Sequence, residues 1–304
     1  MKREKKAVNN HIRTSPARKA FNVFNYTFCI FMGLLCVIPV LHVLALSFSG
    51  VDAVRSNRVF LWPVDFNTDN YNIVIRDAQF FRSYLVTIVR SCLGWAIGLL
   101  CTVLASYPMS LRKDQFPARP LFVAYFMGTM LFSGGMIPIY LVVKSTGLIN
   151  SIWSLLLPCA VSTYNIILMM NFMKGLPEAL SESAFIDGAG HWVTMTRIIL
   201  PLCLPSIATI SLFIVLHHWN AWFDGMIYIK IPELKPLQTY LRSVIIVDAD
   251  VSDSATFLED VVANTSADGA NGAKIFLALI PIMCVYPFLQ KHFAKGLVRG
   301  SVKE

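Results

Sequence analysis

Six long apolar runs constrain this chain more than any other feature of its sequence. Each holds about 20 residues or more, enough for an α-helix to cross ~30 Å of hydrocarbon at ~1.5 Å per residue. Only 14% of the residues are charged, against roughly 25% in soluble domains. These lengths indicate a membrane protein and argue against a soluble fold with a very apolar core. The runs are Phe24–Phe48, Tyr84–Leu111, Leu121–Val143, Ile152–Met173, Ile198–His217 and Ile275–Phe293.

The positions of lysine and arginine predict the orientation of the spans. With a cytoplasmic N-terminus, the segments 1–20, 112–120, 174–197 and 291–304 would be cytoplasmic, and they hold 16 of the 26 basic residues. Cytoplasmic loops carry the excess of Lys and Arg in membrane proteins. We therefore expect an all-α membrane protein with six transmembrane helices and both termini in the cytoplasm. The net charge of +8 follows from this distribution, and no basic stripe with interleaved aromatic residues indicates a nucleic acid partner.

The cysteines lie within or at the edges of the apolar runs, without the spacing of metal ligands, so we expect small packing residues and no metal site.

The apolar runs and the basic residues between them divide the chain into segments. The predicted segments are a basic N-terminal segment (1–20), a first transmembrane helix (21–49), an extracytoplasmic loop (50–80), a core of transmembrane helices (81–296) with a cytoplasmic loop (175–197) and an acidic extracytoplasmic loop (221–272), and a cytoplasmic tail (297–304).

A short charged segment separates the fourth and fifth runs. Pro177 follows a glycine and a leucine and suits the first turn of a new helix. Glu178 and Glu182 fall near the start of that helix, where the helix dipole favours anions. Gly188 and Gly190 then end it. The segment therefore predicts a short amphipathic helix at the cytoplasmic surface, where a soluble protein can bind it.

The spacing of this segment resembles the E-A-A-x3-G-x9-I-x-L-P loop of the permease subunits of binding-protein-dependent ABC importers. Every spacing is kept, and Ser183 in place of an alanine is the one departure. The resemblance implies that the helix docks on a cytoplasmic ATPase, with a supporting role for Asp187. The matching residues are Glu182, Ser183, Ala184, Gly188, Ile198, Leu200 and Pro201.

Three further stretches are similar to the carbohydrate branch of these type I importers. They are LFSGGMIPIYLVVKSTGLINS (Leu131–Ser151), WNAWFDGMIYI (Trp219–Ile229) and PFLQKHFAKGLVRGSVKE (Pro287–Glu304). The last departs from the family pattern, because Glu304 stands where the family usually ends in glycine. Taken together, the chain resembles a maltose-type second permease, and more closely those that import oligosaccharides of plant or algal polysaccharides.

The resemblance implies the partners and the location of the chain. It implies a bacterial cytoplasmic membrane, a second homologous permease, two cytoplasmic ABC ATPases and an extracytoplasmic solute-binding protein. The implied cargo is an oligosaccharide, with a uronic-acid-containing oligosaccharide as one hypothesis. The glycine-rich stretch Gly269–Lys274 lacks the spacing of a nucleotide-binding loop. We therefore expect ATP and Mg²⁺ in the partner ATPase, no cofactor and no catalytic residue in this chain, and contacts with membrane lipid.

Polar residues within the spans are candidates for the substrate path. The Arg90 guanidinium could meet a carboxylated sugar, or it could snorkel or pair within the protein. Asn165 could bond either a helix backbone or a sugar hydroxyl. The aromatic and polar cluster at the end of the fifth run could stack on sugar rings, or it could form an interfacial aromatic belt. That cluster comprises His217, His218, Trp219, Asn220, Trp222 and Asp224, and the last four are the substrate-path candidates.

Two other functions compete with this interpretation. A secondary carrier or channel would act without an ATPase, and it would favour inverted repeats and a carboxylate at the centre of a span. The apolar runs contain no such central Asp or Glu. An ABC permease for a non-sugar solute is the second alternative, and the stretches at 219–229 and 287–304 argue against it.

Overall fold

A computed structural model gives the fold and describes residues 16–251, 268–285 and 287. The regular elements within these ranges are helices, as expected from the apolar runs. They are α1 (Pro16–Ser47), α2 (Val51–Arg55), α3 (Asp69–Arg76), α4 (Ala78–Ser110), α5 (Arg119–Leu131), α6 (Met136–Ser145), α7 (Trp153–Cys159), α8 (Thr163–Lys174), α9 (Ala179–Ile186), α10 (His191–Leu202), α11 (Leu204–Asn220), α12 (Phe223–Tyr228), α13 (Leu237–Val251) and α14 (Asp268–Val285).

Three of the helices, α1, α4 and α14, are each long and apolar enough to cross a membrane. Three further predicted spans are broken into bent pairs. The axes of α5 and α6 meet at 111°, those of α7 and α8 at 48°, and those of α10 and α11 at 82°. If each bent pair counts as one span, the described residues hold up to six spans.

Glycine and proline account for two of the breaks. Gly135 adopts a φ of +82°, a left-handed conformation that favours glycine, and it lies between α5 and α6. Pro201 and Pro205 flank the break at Cys203 and cannot donate a backbone hydrogen bond to the preceding turn. Upstream of that break, Thr194–Ile199 forms a π-helical segment within α10. Irregular turns of this kind are frequent at functional positions.

The core forms where α4 packs against α8 and α11. Glycines on α4 allow this close approach, as small residues do between membrane helices. A Cβ atom on Gly94 would lie 2.3 Å from the His218 ring, and one on Gly98 would lie 3.4 Å from Ile214. The buried side chains of this core are Val103, Tyr107, Met169, Met173, Met195, Ile199, Cys203, Ile210 and Ile214.

Large apolar faces remain exposed on the single chain. Residues 16–39 of α1 are exposed, and only its C-terminal end contributes buried residues, Ala45 and Ser47. Helix α5 contributes no buried residue, and most large side chains of α6 are exposed. These helices therefore present apolar surface to their surroundings.

The predicted loops contain short helices, and some predictions fall outside the described residues. The loop at 50–80 includes α2 and α3, and the loop at 221–272 includes α12 and α13. The basic segment up to residue 15, the centre of the acidic loop at 252–267 and the tail at 297–304 lie outside the described residues.

Candidate functional site

The charged segment between the fourth and fifth runs forms the short helix α9, as the sequence predicted. The backbone N–H of Gly188 donates to the Phe185 carbonyl at 3.0 Å, and that of Ala189 donates to the Ala184 carbonyl at 2.9 Å. This pair of bonds is a Schellman cap, which needs a left-handed residue at the glycine position. Gly188 has a φ of +83° and meets that need. The glycine of the loop pattern therefore has a direct structural cause.

One face of α9 is buried and the other is open. Ala184 is buried, while Glu182 and Ser183 are exposed. The Ser183 hydroxyl donates to the Ala179 carbonyl at 2.7 Å, so the departure from alanine leaves no unpaired hydroxyl. Ile186 is 86% exposed and Trp192 is 64% exposed. The open face thus combines a carboxylate with large apolar side chains, a surface that suits a protein partner.

Arg112 contacts the carboxylates of this helix from the end of α4. Its Nη1 atom lies 3.4 Å from Glu178 Oε2 and 3.5 Å from Glu182 Oε1, and its Nε atom lies 3.2 Å from Asp114 Oδ1. All these side chains are more than half exposed. Exposed pairs of this kind contribute only ~0–1 kcal/mol, so Glu182 can exchange Arg112 for another cation at little cost. Arg112 was not among the residues singled out from the sequence, because its contacts to Glu178 and Glu182 join distant parts of the chain.

The second half of the loop pattern anchors α10 in the core. Leu200 packs against the core, whereas Ile198 is half-buried and Pro201 is exposed. Ile199 and Met195, which the sequence analysis did not single out, are the buried anchors. Their burial between α4, α8 and α11 gives α9 and α10 a fixed connection to the bundle.

An aromatic contact reinforces that connection. The Tyr107 hydroxyl of α4 lies 3.2 Å from His191 Nδ1, and the His191 ring lies 5.0 Å from the ring of Phe185. The start of α10 therefore contacts both α4 and α9.

A buried ion pair lies at the other end of the bundle. Arg90 is 0% exposed and its guanidinium forms a two-nitrogen contact with the Asp224 carboxylate. Its Nη1 atom also donates to the Ala221 carbonyl at 3.3 Å, where α11 ends. The Gly225 N–H donates to Asp224 Oδ1 at 2.8 Å. Of the alternatives for Arg90, the structure shows pairing within the protein.

The segment that follows is tied to α4 and α14. The Leu237 N–H donates to Thr87 Oγ1 at 2.7 Å. The Asp77 carboxylate accepts from the Tyr240 hydroxyl at 2.6 Å and lies 2.8 Å from the Lys274 ammonium. Burial alone raises the pKa of Asp77, but the hydrogen bonds from Lys274, Tyr240 and a backbone N–H together hold this pKa below its ordinary value. Helices α4, α13 and α14 therefore form one unit here.

An open cleft of about 440 Å³ lies where α7 and α8 break. Asn165, His217 and His218 line it, and its described lining includes no carboxylate. Asn165 and His218 are nonetheless buried, and His218 Nδ1 has no hydrogen-bond partner among the described residues. The cleft therefore offers polar groups to a ligand that approaches from the open side.

The predicted substrate-path residues do not form one cluster. Asn165 lines the cleft, whereas Arg90 and Asp224 neutralise each other beside it. Trp219 is buried in a separate apolar cluster, where its ring contacts Tyr84 at 5.9 Å, and Asn220 is exposed. Trp222 lies on another side, under the guanidinium of Arg242. Their roles remain predictions.

The fold defines a class, that of membrane components whose helices are long and apolar enough to cross a bilayer. Residues 82–229 match the model of the family described as binding-protein-dependent transport system inner membrane component. The polygalacturonan/rhamnogalacturonan transport system permease protein YtcP of Bacillus subtilis (strain 168) is 39% identical over 286 residues, which cover 94% of this chain and 99% of the relative. The chain therefore belongs to the inner membrane permease family of binding-protein-dependent ABC transporters.

Two further comparisons agree. Protein LplC of Bacillus subtilis (strain 168) is 38% identical over 292 residues, covering 96% of this chain and 98% of the relative. A chain in the crystal structure of a bacterial ABC transporter involved in the import of the acidic polysaccharide alginate superposes with a TM-score of 0.83 at 31% identity. That match covers 92% of this chain and 99% of the other.

Proposed function

We propose that this chain is one permease half of an ATP-driven importer of carboxylated oligosaccharides. It crosses the bacterial cytoplasmic membrane six times, with both termini in the cytoplasm. Its partners are a second permease, two cytoplasmic ATPases that bind ATP and Mg²⁺, and an extracytoplasmic solute-binding protein. The observation that carries the proposal is the glycine-capped helix α9, which exposes Glu182 and Ile186 while its flanks are fixed in the core.

The coupling role follows from what α9 exposes and what it hides. Among the described residues, Glu182 has one ion-pair partner, the exposed Arg112, and this weak contact leaves it able to meet a basic group of an ATPase. Ile186 and Trp192 add apolar area, which is the main source of association free energy between proteins. Ala184, on the opposite face, lets α9 lie against the bundle. Movement of the ATPase pair is passed through this helix to α4, α8 and α11.

The cargo is assigned from the cleft together with the relatives. The described lining of the cleft has amide, imidazole and hydroxyl groups but no carboxylate, so it does not repel an acidic sugar. A relative is named for polygalacturonan and rhamnogalacturonan transport, and the similar crystal structure is titled for import of alginate. Both names specify acidic polysaccharides. These facts support uronic-acid oligosaccharides as the cargo.

A test of the coupling role is co-purification in detergent with partners identified by mass spectrometry. The variant with Glu182→Ala and Gly188→Leu should keep the second permease and lose the ATPase. Glu233→Ala changes a carboxylate in a different loop and serves as the matched control. If the double variant retains the ATPase as well as the control does, the coupling role of α9 is wrong.

The cargo is tested by uptake into proteoliposomes that contain the whole assembly and its solute-binding protein. Trigalacturonate should enter only when ATP is present inside the vesicles, on the side where the ATPases lie. Maltotriose should enter poorly. Uptake of trigalacturonate on an ion gradient without ATP would instead support the carrier alternative. Equal uptake of both trisaccharides would contradict the preference for acidic sugars.

A further inference from the structure

A second cleft, of about 350 Å³, lies between α13 and α14 on the side of Trp222. Its volume falls within the ~300–1,000 Å³ typical of small-molecule pockets. Trp222, Gln238 and Arg242 supply its polar groups, and the side chains of Ile245, Ile275, Leu279 and their neighbours form an apolar wall. We refer to this site as the arginine cleft. No carboxylate contributes to its described lining.

Arg242 is placed to receive an anion. Its guanidinium carbon lies 3.7 Å from the centre of the Trp222 ring, a stacking contact that holds the guanidinium in one orientation. The side chain is exposed and pairs with no carboxylate among the described residues. Gln238 lies one helical turn earlier on the same face of α13, and its amide makes no hydrogen bond within the described part of the chain.

The backbone that carries these side chains is fixed independently of Arg242. The Thr239 hydroxyl donates to the Trp222 carbonyl at 2.8 Å, and α13 begins at Leu237, whose N–H donates to Thr87. Gly225 packs so closely that a Cβ atom there would lie 2.2 Å from Thr239 Oγ1. Replacing the Arg242 head group therefore leaves the frame of the cleft in place.

The two arginines beside α12, Arg90 and Arg242, differ in whether a carboxylate neutralises their charge. Arg90 is buried and its charge is neutralised by Asp224. Arg242 is exposed and its charge is uncompensated within the described residues. A planar guanidinium binds a carboxylate through two parallel hydrogen bonds. Within the described part of the chain, the charge of Arg242 is therefore available to a ligand.

We propose that the arginine cleft binds a uronic acid residue of the transported oligosaccharide. Arg242 pairs with the sugar carboxylate, Gln238 bonds ring hydroxyls, and the apolar wall contacts the C–H face of the ring. This inference rests on the proposed function, since it takes an acidic oligosaccharide as the cargo. It adds a specificity-determining residue, Arg242, outside the cleft at Asn165.

The test measures equilibrium binding of radiolabelled trigalacturonate to the complete permease–ATPase assembly in nanodiscs, without the solute-binding protein. The neutral trimethyl ester of trigalacturonate is the matched probe, because it keeps the shape and loses the charge. Arg242→Gln should weaken trigalacturonate binding about tenfold or more and leave ester binding unchanged. Arg242→Lys keeps a charge but not the planar fork, and its affinity for trigalacturonate should lie between those of the wild type and Arg242→Gln. Arg82→Gln, which removes another exposed arginine, should bind both probes like the wild type.

The outcomes separate this inference from its alternatives. Equal weakening of acid and ester binding by Arg242→Gln would show a structural role and overturn the inference. If the wild type and Arg242→Gln differ in trigalacturonate binding in phosphatidylglycerol nanodiscs but not in phosphatidylcholine nanodiscs, Arg242 acts through an anionic lipid head group, which also overturns the inference. If wild-type proteoliposomes take up trigalacturonate but Arg242→Gln keeps the full acid preference, only this inference fails. If the wild type takes up no acidic trisaccharide, the proposed function fails with it.

Discussion

Arginine and carboxylate groups meet at both ends of the helical bundle, but in opposite ways. Arg90 and Asp224 pair inside the protein, with Arg90 fully buried. Arg112 and Glu182 meet at 3.5 Å, with both side chains more than half exposed. A buried pair is costly to break, because the remaining charge stays out of water. An exposed pair is easily exchanged. The charges at one end of the bundle are therefore held inside the protein, while those at the other end are accessible at its surface.

The largest effect is expected from breaking the buried pair. Asp224→Leu leaves the Arg90 guanidinium buried without its counter-charge, so the free energy of unfolding should fall by about 3–5 kcal/mol. The double variant Arg90→Leu with Asp224→Leu should lose less than Asp224→Leu alone. Unfolding in a detergent titration measures both. A double variant that is less stable than the single variant would show that the pair is not the source of the effect.

A smaller loss is expected from crowding the core at the same end. Gly94→Ala places a Cβ atom 2.3 Å from the His218 ring, and overpacking of this kind costs about 1–3 kcal/mol. Gly128→Ala is the control, since nothing lies within 4 Å of the Cβ position there. The same titration compares the two. Equal stability of both variants would mean that His218 moves aside freely.

At the exposed end, the cap of α9 should matter more than its ion pairs. Gly188→Ala forces an alanine into a left-handed conformation, at a cost of about 1 kcal/mol. Because this strain acts on the docking helix, the fraction of ATPase that co-purifies should fall. Gly190→Ala, at a φ of −77° and with open space around it, should behave like the wild type. If less ATPase co-purifies with both variants, the effect does not come from the left-handed cap residue.

The smallest effect is expected from Arg112→Ala. Its exposed contacts to Glu178 and Glu182 contribute at most about 1 kcal/mol, so unfolding should change little. ATPase capture should remain or increase slightly, since Glu182 loses a competing cation. Quantitative co-purification measures this. A large loss of stability would contradict the contrast between the two ends.

The sequence predicted some features of these ends and not others, for physical reasons. The apolar runs and the glycine cap of α9 are local, so their spacing along the chain was sufficient. The pairing of Arg90 with Asp224 joins residues 134 positions apart. A single sequence does not indicate which of its distant residues meet in the fold. Ile199 rather than Ile198 is the buried anchor, since packing against α4, α8 and α11 decides which side of α10 faces the core. The runs Leu121–Val143 and Ile198–His217 were predicted as continuous spans, and the structure corrects this, because Gly135 and the prolines around Cys203 interrupt the helices.

The 82° bend between α10 and α11 makes α10 a lever arm for the span that follows. The 12 residues from His191 to Leu202 extend ~18 Å at ~1.5 Å per residue, almost perpendicular to the axis of α11. A rotation of α11 by about 10° about its own axis therefore sweeps the far end of α10, and α9 with it, through ~3 Å. If the loop binds the proposed ATPase, a small push on the loop would become a torque on the fifth span.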